Sequence, residues 1–424
     1  KRILHMHFES VKIQNFRGIK ELELDLKPGI NILIGDNGMG KTTALEAMVV
    51  ALGSYLLGVP KILSVGIQQD DFREEVEIIA GASKQKTYYS PNILFDLNLG
   101  GKTYSGSRTR TDRSGKGRTR TVSGQISGYA QELTEKNGSN LPVLMYMGIS
   151  RVVAAKRSDF GKTQKNMLDD RRCGYVGCLD SMIDKNSIIE WVKKMAYEQA
   201  LQKKKMPEYE FFNSTVSRIM QKMNDLEEVP EIRYSATHGT VTYVENGKDY
   251  PLGYWSAGYQ SLLWMVMDIT FRIALLNPEI DTSVNAEGIV LIDEIDMHLH
   301  PKWQWKILNV LEENFPQIQF IVATHSPVII ASNKDANLIQ LVNCTEAIRK
   351  ESAYAYPINS VLTTRQDSVD MLPEATEKIR AFDRALSDEK FEMAYDILQE
   401  MIKLFGKDNP FVIGAQADYD LAIF

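Results

Sequence analysis

Eight consecutive residues, Gly35-Asp36-Asn37-Gly38-Met39-Gly40-Lys41-Thr42, match the phosphate-binding pattern G-x-x-x-x-G-K-[ST]. Glycines let backbone N–H groups face phosphates, and the start of a following helix adds partial positive charge. Lys41 is predicted to reach the β- and γ-phosphates of ATP, and Thr42 to offer its hydroxyl to Mg²⁺. The other predicted nucleotide contacts are Asp36, Asn37, Gly38, Gly40 and Thr43.

A second candidate group follows an apolar run. Ile289-Val290-Leu291-Ile292 is followed at once by Asp293 and Glu294. A buried strand would place both acids at the carboxyl edge of a sheet, where ligands bind in open α/β folds. There Asp293 is predicted to hold Mg²⁺ through water, and Glu294 to polarise the attacking water. An apolar run that ends in Asp-Glu also fits the capped start of a helix, so this prediction depends on its pairing with the phosphate-binding segment.

Both motifs need a sheet and helices to position them, and the surrounding sequence predicts these elements. Ile30–Ile34 is an apolar run suited to a central strand, and a helix is expected from about Thr42 to Leu57. Alternation over residues 8–26 predicts two half-buried strands that turn at Arg17-Gly18. Residues 155–230 have a mostly helical pattern, and 231–252 predict a hairpin. The predicted fold class is α/β.

The order of these motifs resembles the ABC-type ATPase superfamily. Between them stands Trp255-Ser256-Ala257-Gly258-Tyr259-Gln260, which is similar to the signature L-S-x-G-x-Q with tryptophan in place of leucine. Ile295-Asp296 resembles the D-loop, and Thr324-His325-Ser326 resembles the segment that carries the switch histidine.

The resemblance implies roles for these residues. Lys41, Glu294 and His325 would serve hydrolysis in one chain. Ser256 and Gly258 would bind the γ-phosphate held by a second copy, so the resemblance implies a homodimer that encloses ATP and that could form higher oligomers. It also implies an ATPase head with a mixed central sheet, flanking helices and an antiparallel β subdomain.

Asn15-Phe16-Arg17-Gly18 is similar to the N-F-[RK] element of the SMC, RecF, Rad50 and OLD branch of the superfamily. In that branch the basic residue lies near the nucleotide, which implies the same place for Arg17. The interval between the phosphate loop and the signature is too short for the long coiled coil of SMC and Rad50 proteins. The residues after Ala331 offer no set of acids for the nuclease domain of OLD proteins, because Asp418 and Asp420 are followed by only four residues.

The chain resembles the Septu-type anti-phage ATPases of the PtuA family, which are also found beside retrons. The resemblance lies in a helical insertion, in Trp191 within that insertion and in a short helical tail. This resemblance implies bacterial defence and a separate HNH nuclease partner of the PtuB kind. A DNA-repair clamp of the RecF kind and a nucleotide-binding scaffold with little turnover are the alternatives. The expected domains are an ATPase lobe with the phosphate loop, a helical insertion, a second ATPase lobe and a helical C-terminal region, at residues 1–152, 153–230, 231–345 and 346–424.

Two further motifs are ambiguous. The glutamine that positions water in ABC-type ATPases should follow Met147, where the chain has Gly148-Ile149-Ser150-Arg151 instead. Ser150 or Arg151 would replace it, or water would be positioned differently, and the missing glutamine keeps the scaffold alternative open. His298 and His300 alone are too few for a metal site, and an interface or supporting role is favoured.

Charge and apolar patterning distinguish three segments that could lie on the surface. Residues 102–120 carry seven Lys and Arg against one acid, Asp112, which fits either a DNA contact or a solvated mobile loop. Lys203-Lys204-Lys205 fits a plain exposed helix face. Partner docking is favoured for the tail over packing on the core, through the following side chains: Phe382, Leu386, Ala394, Leu398 and Leu404.

Composition narrows the class of protein. A formal net charge of -6 argues against a protein that coats DNA globally. Three cysteines, with no signal peptide at the N-terminus, suit a reducing cytoplasm. The apolar stretch from Leu262 to Leu276 contains Asp268 and Arg272, so it predicts a buried helix and no membrane span.

Overall fold

The computed structural model contains two compact units, residues 1–358 and residues 359–424. The structure describes these parts of the chain: 6–79, 83–136, 138–152, 170–245, 247–280, 283–366 and 373–423.

Strands and helices are numbered in chain order. The strands are β1 (Met6–Phe16), β2 (Ile19–Asp25), β3 (Ile30–Ile34), β4 (Arg73–Ile79), β5 (Ser83–Tyr89), β6 (Asn92–Leu99), β7 (Lys102–Thr109), β8 (Arg120–Val122), β9 (Val143–Met147), β10 (Glu231–Ser235), β11 (Thr240–Glu245), β12 (Lys248–Pro251), β13 (Glu287–Ile292), β14 (Gln317–Ala323), β15 (Asn337–Val342) and β16 (Glu346–Lys350). The described helices are α1 (Lys41–Leu56), α2 (Gly124–Glu135), α3 (Lys185–Gln202), α4 (Pro207–Asn224), α5 (Ala257–Leu276), α6 (Pro301–Gln304), α7 (Ile307–Asn314), α8 (Pro327–Ser332), α9 (Ile358–Arg365), α10 (Pro373–Ser387), α11 (Phe391–Phe405) and α12 (Pro410–Ala422).

A six-stranded sheet forms the centre of the larger unit, in the order β16-β15-β3-β14-β13-β9. Its strands are parallel except β16, which pairs antiparallel with β15. Every residue of β3 and β9 is buried, which explains why their sequences are continuous apolar runs. The carboxyl ends of β3, β13 and β14 therefore lie side by side at one edge.

A five-stranded antiparallel sheet, in the order β2-β1-β6-β7-β8, adds the predicted β subdomain. Helix α1 packs against β1, β6 and β7 of this sheet and against β13 and β14 of the central sheet. With the central sheet mixed and flanked by helices, the predicted α/β fold class is confirmed.

The expected insertion, between β9 and β10, is helical where the structure describes it. It holds a 3-10 turn, Arg171–Tyr175, followed by α3 and α4. Residues 153–169 of the expected insertion lie outside the described residues. The three-stranded sheet β10-β11-β12 follows the insertion, and its last two strands turn at Gly247, as the hairpin pattern predicted.

Helix α5 is long and apolar enough to cross a membrane by length and composition, the one such helix among the described residues. In the structure 89% of the most apolar 18-residue stretch of this helix is buried inside the protein. Its two charged residues form a buried ion pair, with Arg272 Nε 3.1 Å from Asp268 Oδ1. Arg272 also donates to the backbone carbonyls of Gly174 and Val176 at 2.9 and 3.0 Å, so the pair fastens the insertion to α5.

The C-terminal boundary differs from the expected one. Glu346–Lys350 falls within the expected helical region but is the edge strand of the central sheet. The compact helical unit begins at residue 359. The difference arises because this five-residue strand has no polar/apolar alternation that would predict it, and it is stabilised by pairing with β15.

The smaller unit has its own core. Phe382, Ala394 and Leu398 are buried together, and Leu386 packs against them. Leu404 is 54% exposed. The preference for partner docking is therefore wrong for the three buried side chains, which pack α10 and α11 together with Val412 and Ala415 of α12.

Candidate functional site

The phosphate-binding segment has the backbone that its glycines predict. It connects the end of β3 to the start of α1, and Gly35, Gly38 and Gly40 have φ angles of 141°, 82° and 93°. A Cβ at Gly35 would lie 2.6 Å from the carbonyl oxygen of Leu341. Any other residue at position 35 would therefore be strained and would clash with β15.

Lys41 lies inside this loop. Its Nζ donates to the carbonyl oxygens of Gly35 and Asp36 at 2.8 and 3.1 Å, and lies 2.6 Å from Nε2 of His325. Burial lowers the pKa of Lys41, while the charges of Glu294 and Asp293 oppose that shift. The ammonium group therefore lies where a phosphate would add the negative charge that stabilises it.

Thr42 and Asp293 are brought together from distant positions in the chain. Thr42 Oγ1 donates to Asp293 Oδ2 at 2.8 Å, and Asp293 is fully buried at the end of β13. A hydroxyl and a carboxylate at this spacing are the donors that Mg²⁺ takes in phosphate-binding loops, so the residues fit that ion. When bound, Mg²⁺ would neutralise charge on the β- and γ-phosphates.

Glu294 and His325 complete the cluster. His325 Nε2 lies 3.6 Å from Glu294 Oε1. Burial lowers the pKa of His325, and the positive charge of Lys41 lowers it further, so the imidazole is neutral at pH 7. Glu294 has a φ of 45°, a left-handed backbone that is uncommon outside glycine and that concentrates at functional sites.

A layer of polar residues behind the cluster was not predicted in full. Thr324 Oγ1 donates to Asp296, and the backbone N–H of Ser326 donates to Thr324 Oγ1 at 2.9 Å. Ser326 Oγ donates to Gln304 Oε1 at 2.6 Å. Gln304 carried no signal in the sequence, because it lies on a short helix whose place beside the segment Thr324–Ser326 is set by tertiary packing.

Arg17 lies beside α1. Its Nε donates to Asp71 Oδ1 at 2.8 Å, and its guanidinium also pairs with Glu46. Burial raises the pKa of Glu46, and Arg17 opposes that shift. Asp71 and Glu46 were missed from the sequence, since neither belongs to a recognised motif.

The phosphate loop is also braced by the turn between β15 and β16. The thiol of Cys344 donates to the carbonyl oxygen of Gly38 at 3.0 Å, and the backbone N–H of Asn343 lies 3.1 Å from Met39 Sδ. Asp36, Asn37 and Gly38 themselves are exposed. Thr43 follows Thr42 on α1 and is half-buried.

The signature residues have their own contacts. Ser256 is exposed and N-caps α5, accepting a hydrogen bond from the backbone N–H of Tyr259 at 3.4 Å. A Cβ at Gly258 would lie 2.2 Å from the carbonyl oxygen of His298, so glycine is required here by packing within the chain. These contacts do not involve the chain's own phosphate loop.

The segment after Met147 shows how β9 reaches the site. The backbone N–H of Asp293 donates to the carbonyl of Met147 at 2.8 Å, and that of Gly148 donates to Ser181 at 3.1 Å. Ser150 follows in a short 3-10 turn, Ile149–Val152. A water-positioning role for Ser150 or Arg151 stays a prediction.

His300 has a structural role at the start of α6. His300 N-caps α6 and accepts from the backbone N–H of Lys302, while His298 has a φ of 66°. Among the described residues no group of three or more His, Cys, Asp or Glu side chains could hold a metal ion.

Burial raises the pKa of Cys173 to about 11 and that of Cys178 to about 12, so both thiols are protonated.

The first part of the basic segment is strand β7 and not the loop that composition suggested. Arg108 and Arg110 are 3% and 6% exposed and donate to backbone carbonyls. Burial lowers the pKa of Arg108 to about 10. Arg113 lies 3.8 Å from the ring centroid of Tyr88. The exposed cations that remain are Lys102, Lys116, Arg118 and Arg120.

Two protein families match parts of the chain. The family described as AAA domain matches residues 10–233. A second AAA domain family, described with the AbiEii toxin of type IV toxin–antitoxin systems, matches residues 201–331.

Curated relatives cover most of the chain at low identity. The Retron Vc95 probable ATPase of Vibrio cholerae serotype O1 biovar El Tor is 25% identical over 77% of this chain and 72% of its own length. The Septu protein PtuA of Bacillus thuringiensis is 22% identical over 95% of both chains.

Among solved structures, the SMC head bound to the C-winged helix domain of ScpA has a TM-score of 0.49 at 16% identity, and the match covers 81% of this chain and 98% of that one. Because the first family match spans more than half of the sequence, the chain belongs to the AAA domain family, and it is similar to a retron ATPase and to the Septu protein PtuA.

Proposed function

We propose that this protein binds and hydrolyses ATP between two copies of the chain, as the ATPase subunit of a cytoplasmic anti-phage defence complex. The cluster of Lys41, Thr42, Asp293, Glu294 and His325 supports the nucleotide site most directly. Ser256 and Gly258 of a second copy would complete that site, since the described contacts of both residues lie away from the phosphate loop of their own chain.

The residues divide the reaction between them. Lys41 binds the β- and γ-phosphates, and the loop amides after Gly35 surround them. Glu294, held beside the neutral His325, orients the attacking water and accepts its proton. His325 contacts both Lys41 and Glu294, so it is placed to sense whether a γ-phosphate is bound beside them.

The defence role rests on the names of the relatives, which are a retron ATPase and a Septu protein. We further propose that the nucleotide state gates a separate HNH nuclease of the PtuB kind. The test of this proposal is whether the neighbouring gene encodes such a nuclease and whether that nuclease copurifies with the ATPase.

Replacing Lys41 with alanine tests the nucleotide site. Removal of one charged hydrogen bond to phosphate should weaken ATP binding at least about tenfold. Titration calorimetry measures the binding, and light scattering with and without ATP measures dimer formation. Lys20→Ala, which removes an exposed lysine on β2, is the control. Equal ATP affinity for Lys41→Ala and the parent would show that nucleotide binds elsewhere.

DNA binding through the remaining exposed cations is a separate proposal. Changing Lys116, Arg118 and Arg120 to glutamate should weaken duplex binding and reduce the slope of log K against log salt by about 0.9 for each phosphate that is no longer neutralised. Fluorescence anisotropy over a salt series measures both. The matched control reverses Lys203, Lys204 and Lys205, which are also exposed. If the two triple variants bind DNA alike, this segment does not bind the duplex.

A further inference from the structure

A cluster of five aromatic rings surrounds the start of the signature helix. Trp255 stacks on Tyr259, with ring centroids 4.1 Å apart and planes 20° apart. Tyr243 and Tyr250, from the hairpin β11–β12, contact Trp255 edge-on at 5.2 and 5.7 Å. Trp303 contacts Tyr259 edge-on at 5.5 Å. The cluster therefore joins the hairpin, the signature and helix α6, and it explains why tryptophan suits position 255.

The same helix α6 is tied to the hydrolytic residues. Gln304, next to Trp303, accepts a hydrogen bond from Ser326, the residue after the switch histidine His325. Its side-chain amide donates to the carbonyl of Leu299 at 2.8 Å. The position of Trp303 is therefore set by the segments that follow Glu294 and His325.

Close packing leaves little freedom between these parts. An added Cβ at Gly258 would lie 2.2 Å from the carbonyl oxygen of His298 and 3.8 Å from the ring of Trp303. Ser256 stands one residue after Trp255 and is exposed. A displacement of Trp303 would therefore move Tyr259 and Trp255, and the exposed serine with them.

We propose that Trp303 is a positioning residue. It fixes the position of the signature residues that this chain would present to the nucleotide of a second copy. It acts through Tyr259 and Trp255 on Ser256, while Gln304 holds helix α6 in place beside Ser326. This inference rests on the proposed function, because it assigns an effect at the partner's nucleotide. It also predicts that a substitution of Trp303 lowers turnover only in the chain that contributes the signature.

The test uses mixed dimers with one competent site. One chain carries Ser256→Arg, so it contributes a phosphate loop but a blocked signature. The other carries Lys41→Ala, so it contributes only a signature. Trp303→Leu is then added to one chain or the other, and phosphate release is measured at saturating ATP. We expect turnover to fall at least about fivefold when Trp303→Leu is in the signature donor, and to stay unchanged when it is in the phosphate-loop donor.

Two variants make the result specific. Trp303→Phe, which keeps a ring, should restore most of the turnover. Trp305→Leu removes an indole from the same region that is 40% exposed and should have no effect in either chain. Thermal melting of each variant confirms that it is folded.

Other outcomes overturn the proposal. Equal losses in both positions would mean that Trp303 supports its own phosphate site or the fold, and no loss in either would remove it from the reaction. If the parent hydrolyses ATP but the mixed dimer without Trp303→Leu does not, the shared site of the proposed function is wrong, and this inference is overturned with it.

Discussion

Replacing Glu294 with glutamine should lower ATP turnover by about 10²–10⁴-fold, the usual contribution of a positioned general base. Glutamine keeps the size of the side chain and one acceptor oxygen, but it cannot accept the proton of the attacking water. Lys41, Thr42 and Asp293 are unchanged, so ATP should still bind. Because hydrolysis would no longer open the complex, the ATP-bound dimer should accumulate.

Phosphate release measures the turnover, and size-exclusion chromatography with light scattering measures the dimer. Glu23→Gln is a matched control, since Glu23 is an exposed acid on β2. Turnover by Glu294→Gln at the parent rate would show that another group activates water. Loss of turnover without any ATP-dependent dimer would separate the assigned base from the assigned assembly.

Replacing Arg272 with alanine should destabilise the larger unit by about 3–5 kcal/mol, because it leaves the buried carboxylate of Asp268 without its partner. The change also removes the hydrogen bonds to Gly174 and Val176 that fasten the insertion to α5. Chemical denaturation followed by tryptophan fluorescence measures the loss of stability.

The exposed pair between Arg233 and Asp249 provides the comparison. Its ions are 2.7 Å apart, but Arg233 is 45% exposed. Arg233→Ala should therefore cost at most about 1 kcal/mol, as is usual for surface ion pairs. Similar losses in the two variants would mean that the Asp268–Arg272 pair is not the anchor of the insertion.

Local sequence determined the parts of the site that depend on a short segment. The glycines at 35, 38 and 40 predicted a loop whose backbone N–H groups can face phosphates, and all three have the positive φ that glycine adopts most readily. The apolar runs before Gly35 and Asp293 predicted buried strands, and β3 and β13 are buried along almost their whole length. Such strands have few alternative environments, so a continuous apolar run is enough to predict them.

The charged segments were predicted less well. Arg108 and Arg110 belong to a composition typical of a loop, but they are buried by contacts with residues more than 40 positions away. Glu346–Lys350 became a strand only because β15 supplies its hydrogen-bonding partner. In both cases long-range packing and pairing outweighed local composition.

The sequence by itself determined which residues could bind phosphate and Mg²⁺ and activate water, because those residue types at those spacings suit few other purposes. Only the tertiary structure decided what holds them in place. Thr42 reaches Asp293 across 251 positions, and Ser326 reaches Gln304 beside the aromatic cluster. Contacts of this kind depend on how parallel strands are ordered in the sheet and on how the helices pack on it, and no local pattern of residues encodes that order.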